Sequence, residues 1–121
     1  MTTTANLGIT KLNAGQANAH VTVNIAMDGF DSAIAGRLPL ALTGASTSLT
    51  GAQSTAHILH VTSTTVATDL VVQAVPKSWI VVNDGSHTVT VKRAGQSGAP
   101  TVTSGHSAQL YCDGTDVRAI A

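Results

Sequence analysis

Glutamate is missing from this chain of 121 residues, and cysteine, tryptophan, tyrosine and phenylalanine occur once each. Each scarcity excludes something. With Cys112 alone, neither an intrachain disulfide nor a cysteine zinc cluster can form. Charged residues are 10 % of the chain, well below the ordinary share of about a quarter, and six bases balance six aspartates. The six bases are scattered, so no basic patch points to nucleic acid. No apolar run reaches transmembrane length, and no membrane partner is expected. The opening MTTTANLGITKLNAG has no cationic segment leading into a long apolar run, so no export signal is expected either. A chain with zero net charge has little to keep its copies apart, which suits a subunit covered by neighbours better than a free monomer.

What is present is small and β-forming: Thr, Ser, Ala, Val and Gly dominate. The densest signal is the last third, Ser78–Ile120. There Ser78–Asn83, His87–Lys92, Ser107–Cys112 and Thr115–Ile120 read as short strands, with Asp84-Gly85 and Asp113-Gly114 as hairpin turns. Upstream, Leu40–Leu42, Ser46–Thr50, His57–Thr62 and Leu70–Val75 read the same way, and no exact internal repeat is visible. The predicted fold is mainly β: a small antiparallel β-sandwich or jelly-roll-like domain, preceded by an extended arm and one short α-helix. Arg37-Leu38-Pro39 breaks the composition, since proline ends a helix and holds its predecessor extended. This divides the chain into an arm and helix over residues 1–37 and a β-domain over 38–121.

The helix is predicted over Gln16–Ala35, with Thr22 or Asn24 as its start cap and Gly36 just past its end. Val23, Met27, Phe30 and Ile34 follow one another at spacings of four, three and four, which makes one apolar seam. That seam has two candidate partners: the chain's own β-domain, or the same helix of neighbouring copies.

Candidate chemistry is thin. Of the five histidines, His57 and His60 sit three apart, which on a strand puts them on opposite faces. Asp84 and Asp113 are explained by turns. Cys112 reads as a buried apolar residue. The Gly95–Gly98 loop lacks the lysine and following helix of a phosphate-binding loop. Trp79 and Tyr111 are the two candidate ligand-facing residues, as a sugar-stacking pair, set against a role as core anchors. No catalytic, cofactor or metal set is expected, and the chain is read as a non-enzyme.

Two stretches resemble parts of tailed-bacteriophage virion structural proteins. Gly15–Gly36 is similar to a motif, Q-A-x-x-H-V-T-x-N-x-A-x-x-x-x-D, of phage and gene-transfer-agent fibre proteins. Gln16, Ala17, His20, Val21, Thr22, Asn24, Ala26 and Asp31 match it, while Ala19 and Ile25 stand where Lys and Glu are usual. Trp79–Val117 resembles a β-module of tail fibres and other virion appendages, through V-N-x-x-x-x-x-V-T-V-K, a Gly-rich loop and L-Y-C-D-G-T-x-V. The resemblance implies a virion component assembled in the host cytoplasm: a capsid decoration (head cement) subunit or a short fibre or spike. It implies a homotrimer attached through its N-terminal region to the major capsid protein or to tail and fibre proteins, with Val23, Met27, Phe30 and Ile34 in the contact. The rival reading is a receptor- or carbohydrate-binding tail-fibre module.

Overall fold

A computed structural model describes residues 3–12 and 19–120. Gln16 and Ala17 of the fibre-like motif, and the expected helix start at Gln16, lie outside the described residues.

From Arg37 onward the alternation of small apolar and polar residues produces strands. These are β1 (Arg37–Leu42), β2 (Ser46–Ser48), β3 (Ile58–Thr64), β4 (Thr68–Val71), β5 (Lys77–Asn83), β6 (Val89–Lys92), β7 (Thr101–Val102), β8 (His106–Cys112) and β9 (Val117–Ala119). They build two facing sheets, ordered β1-β3-β5-β8-β9 and β2-β4-β6-β7. The mainly β, sandwich-like fold expected from the sequence is therefore present. Its pairing is mixed rather than antiparallel.

The first six strands form a coil. The chain crosses from one sheet to the other after β1, β3 and β5. Hence β1, β3 and β5 stack in parallel in one wall, and β2, β4 and β6 in the other. Arg37 faces Ile58 and Ile58 faces Ile80, so a turn of the coil takes about 22 residues, the period of a short solenoid repeat. Only the closing strands run antiparallel: β7 on β6, β8 on β5 and β9 on β8.

This corrects one predicted hairpin. Asp84-Gly85 does not fold β5 back on β6; it is a corner that carries the chain between sheets. Asn83, fully buried, holds the corner. Its Nδ2 donates to the carbonyls of His87 (2.8 Å) and Val102 (2.9 Å), and its Oδ1 accepts from Gly85 N–H (3.0 Å). Gly85 is needed because a Cβ there would lie 2.8 Å from the Thr64 side chain. The other hairpin stands: Cys112 pairs with Val117 around Asp113-Gly114.

The core lies between the walls. Leu40, Leu42, Leu59, Val61, Trp79, Val81, Leu110 and Cys112 face Leu70, Val72, Val89, Val91 and Val102. Buried aliphatic side chains of this kind each contribute about 1.5–3 kcal/mol. Thr50-x-x-Gln53 forms a reciprocal capping box that starts a one-turn helix, α2 (Gly51–Ser54). That turn places the Ser54 carbonyl 2.8 Å from Trp79 Nε1, so the buried indole keeps a hydrogen bond.

The sheet edges are poor templates for further strands. Edge strand β1 carries Pro39 and a register irregularity at Leu40/Ala41. At the other edge the Gln96 amide meets Val117 on both backbone groups (2.9 and 2.8 Å), as a neighbouring strand would. The edges of the smaller sheet, β2 and β7, are only three and two residues long.

The main helix, α1 (Ala19–Ala35), leaves the sandwich at the end where β1 and β3 begin. Ser32 O accepts from Gly36 N–H (2.8 Å) and His57 N–H (3.2 Å), and Gly36 O accepts from Ile58 N–H (2.9 Å). A Cβ on Gly36 would lie 2.5 Å from Ser32 O, so only glycine fits this junction. Because the helix already runs from Ala19, Thr22 and Asn24 lie inside it and are not its start caps.

Candidate functional site

The helix has one polar stripe, and the chain uses it internally. Asn24, Asp28 and Asp31 recur at spacings of four and three and share a face. The arm, residues 3–12, lies along that face. Leu12 N–H donates to Asn24 Oδ1 (2.9 Å) and Leu12 O accepts from Asn24 Nδ2 (3.0 Å). Lys11 pairs with Asp28 at 3.0 Å. Asp31, 2 % exposed, accepts from Asn6 N–H (3.0 Å), Asn6 Nδ2 (2.7 Å) and Leu7 N–H (2.7 Å). Burial alone would raise the Asp31 carboxyl. The hydrogen bonds from Leu7, Thr4 and Asn6 outweigh burial and hold it down at about 2.

The apolar side of the same unit points to solvent. Val23, Phe30 and Ile34 of the predicted seam are 42 %, 67 % and 62 % exposed, and Met27 is half-buried. The chain's own β-domain therefore does not cover the seam. Val21 and Ile25 on another flank, and Leu7, Ile9 and Leu12 on the arm, are exposed as well. Eight of the eleven exposed large hydrophobic residues described thus belong to the arm and helix, which locates the unfinished surface there.

The sugar-stacking pair is not assembled. Trp79 is wholly buried and faces the core, so its reading as a ligand-facing residue is corrected. Tyr111, half-buried, stands opposite Ser78 rather than Trp79, on the outer face of the larger sheet. One residue of register separates the two rings, and in a strand that sends them to opposite faces.

Several of the remaining polar groups are engaged with their neighbours. His60 is bracketed by the Arg37 guanidinium on Nδ1 and the Asp84 carboxylate on Nε2. His87 meets Thr64 and Ser86, and His106 meets the Ser104 carbonyl. Asp113 caps its own turn. N–H groups of Asp116 and Thr115, with Arg118, hold its carboxyl down at about 2. Cys112 is buried in the core. Among the described residues no group of three histidine, cysteine or acidic side chains is arranged for a metal. A polar crevice of about 390 Å³ lies between the Gly-rich loop and β9, but its charged members are committed: Asp116 to Arg93 and Arg118 to Asp113.

A second pocket, of about 220 Å³, lies under the last turn of α1. Ala33, Thr55, Val75 and Lys77 line it. The Lys77 ammonium stands 5.7 Å from the Trp79 ring centre, and burial pushes its pKa down.

Sequence reasoning found the seam but missed the residues that set its surroundings. Asp31 was available as a signal, seven residues beyond Asn24 on the same helical face. The Thr50–Gln53 capping box was also legible. Asn83 and Gln96 carry no local mark of the distant backbone groups they satisfy.

The chain matches no protein-family model, no curated protein and no solved structure.

Proposed function

We propose that this chain is a non-catalytic structural protein of a phage virion. In this reading it is a small decoration (head cement) or short fibre or spike subunit, attached through its N-terminal arm and helix. It works as a homo-oligomer, a trimer, against the major capsid protein or tail and fibre proteins. The observation that carries the reading is the exposed apolar seam Val23, Met27, Phe30 and Ile34. A helix with apolar residues on several sides and its one polar stripe occupied by its own arm is built to be covered.

Two further features support it. The sheet edges are short, irregular or partly covered, which makes them poor templates for strand addition and favours the helix as the contact. The residues behind the virion-module resemblance also have structural work here: Asn83 holds a corner, Asp113 caps a turn, and Gly114 adopts φ 97°. Each has a structural role that needs no ligand. No observation favours the receptor- or carbohydrate-binding alternative.

The test is imaging of particles assembled with this chain carrying a C-terminal label, beside a version lacking residues 1–36. The full chain is expected at regular positions on the particle and the truncated one in the free fraction. A full chain absent from particles, or a truncated chain still bound, overturns the reading.

A further inference from the structure

We infer that His60 is a pH-sensitive clip: its neutral ring ties the edge strand β1 to the corner after β5, and in acid it keeps the corner and releases the strand. The inference concerns the root of the arm–helix unit and does not depend on what that unit contacts.

Three side chains from three neighbouring segments of the larger sheet meet here. Arg37 opens β1, His60 lies in β3 and Asp84 follows β5. The Arg37 guanidinium meets Nδ1 of the ring, and Asp84 Oδ2 lies 2.5 Å from Nε2. These partners leave the ring one protonation state. A guanidinium only donates, so Nδ1 must offer its lone pair. An ionised carboxylate only accepts, so Nε2 must carry the hydrogen. Both contacts are made at once only by the neutral Nε2–H tautomer.

A further proton goes to Nδ1, the one ring nitrogen with a lone pair. It sets donor against donor and a positive ring beside a positive guanidinium. It also turns the Nε2–H bond to Asp84 into a charge-assisted one. The two contacts thus respond in opposite senses. Asp84 is fixed from behind, since its N–H donates to the Val61 carbonyl of β3 (2.9 Å). Arg37 is the exposed first residue of an edge strand, on a long flexible stem, so it is the partner that leaves. The ring keeps 20 % of its surface open, so protons reach it from solvent. Among the described residues, Arg37 and Asp84 are the charged groups that meet it. Its register neighbours are Pro39 on β1 and Val82 on β5, with Ser107 of β8 beyond Val82. His57 stands ahead of β3, and His106 is turned to the Ser104 carbonyl. Release matters because of what adjoins Arg37. Gly36, the residue before it, accepts from Ile58 N–H (2.9 Å) and joins α1 to β3. Freeing Arg37 loosens that junction and leaves the core intact.

The experiment follows the full chain by NMR between about pH 7.5 and pH 5, within the span where histidine ordinarily changes charge. It compares the parent with His60→Gln and Arg37→Gln, with thermal melts as a folding control. In the parent, the order parameter of the Arg37 Nε–H is expected to drop across that span. The protection factor of the Ile58 amide is expected to fall about 3-fold. Both are expected to stay constant in His60→Gln, and Ile58 to stay constant in Arg37→Gln, which has no clip to release. The other histidines are present in every variant, so the comparison subtracts their part. Asp31 and Asp113, held down at about 2, stay ionised throughout. A parent without pH dependence overturns the clip. So does the parent's pH dependence in either variant, or an Arg37 that stays ordered while Ile58 opens. If His60→Gln melts, Arg37→Gln alone carries the comparison, because it leaves the ring in place and removes only the strand's hold on it.

Discussion

The coiled sandwich and the arm–helix unit are turned opposite ways. In the sandwich, apolar side chains point inward and backbone groups meet backbone groups between neighbouring strands of each sheet. In the arm–helix unit, the polar residues Asn24, Asp28 and Asp31 point inward, toward the arm, and Val23, Phe30 and Ile34 point out. The first region meets its own requirements for burial and hydrogen bonding. The second satisfies its polar groups and leaves its apolar ones. A segment like this is stable where it is held and unfinished where it is open. The boundary between the two regions is a single glycine, Gly36, packed on Ser32.

The sharpest way to break the comparison is to truncate one aromatic in each region. Trp79→Ala is expected to cost about 3–5 kcal/mol, because it empties a filled core and strands the Ser54 carbonyl. Phe30→Ala is expected to leave the denaturation midpoint of the monomer within about 0.5 kcal/mol of the parent, since exposed positions contribute little. Urea titration of the two variants reads this directly; equal losses would erase the distinction.

Asn83→Ala is the next largest, at about 2–3 kcal/mol, because two backbone carbonyls and one N–H lose a buried partner. Asp31→Ala acts on the other region. Amide exchange at Asn6 and Leu7 is expected to speed up, while protection of the core strands stays unchanged. Protection lost in both regions would show that the arm supports the sandwich.

Acid probes the same carboxylate. The folded Asp31 and Asp113 carboxyls lie at about 2, below the unfolded value near 4. Their contribution is therefore present above pH about 4 and is lost as pH falls toward 2. Acid titration followed by amide signals of Leu7 and Thr115 is expected to show the arm and the Asp113 turn releasing in that window. The smallest effect belongs to Thr68. Its buried hydroxyl has no hydrogen-bond partner among the described residues, so Thr68→Val is expected to be neutral or stabilising by up to about 1 kcal/mol.

Strand positions were legible in the sequence because alternation is a local property. Val89 and Val91 point inward as their spacing requires, and the seam of α1 lies on one face as its spacing requires. The winding was not legible. Asp84-Gly85 and Asp113-Gly114 have the same turn chemistry, yet one is a corner between sheets and the other a hairpin within one. The difference lies in which distant strand receives the chain. Trp79 was ambiguous for a related reason. Both faces of β5 are apolar, with Ile80 and Val82 outside, and the inner face includes the polar Asn83. Alternation alone could not say which face was the core. The candidate site was half legible: the seam follows from spacing, but its exposure depends on where the β-domain lies.

The parallel stack of β1, β3 and β5 beside β2, β4 and β6 has a consequence for size. A coil of this kind lengthens in whole turns: one inserted turn adds a strand to each wall and about 4.8 Å along the stack. The helix junction at one end and the antiparallel closure by β7, β8 and β9 at the other are left untouched. The domain is in that sense a spacer with fixed increments. It sets the distance between the helix junction at β1 and the far edge at β9.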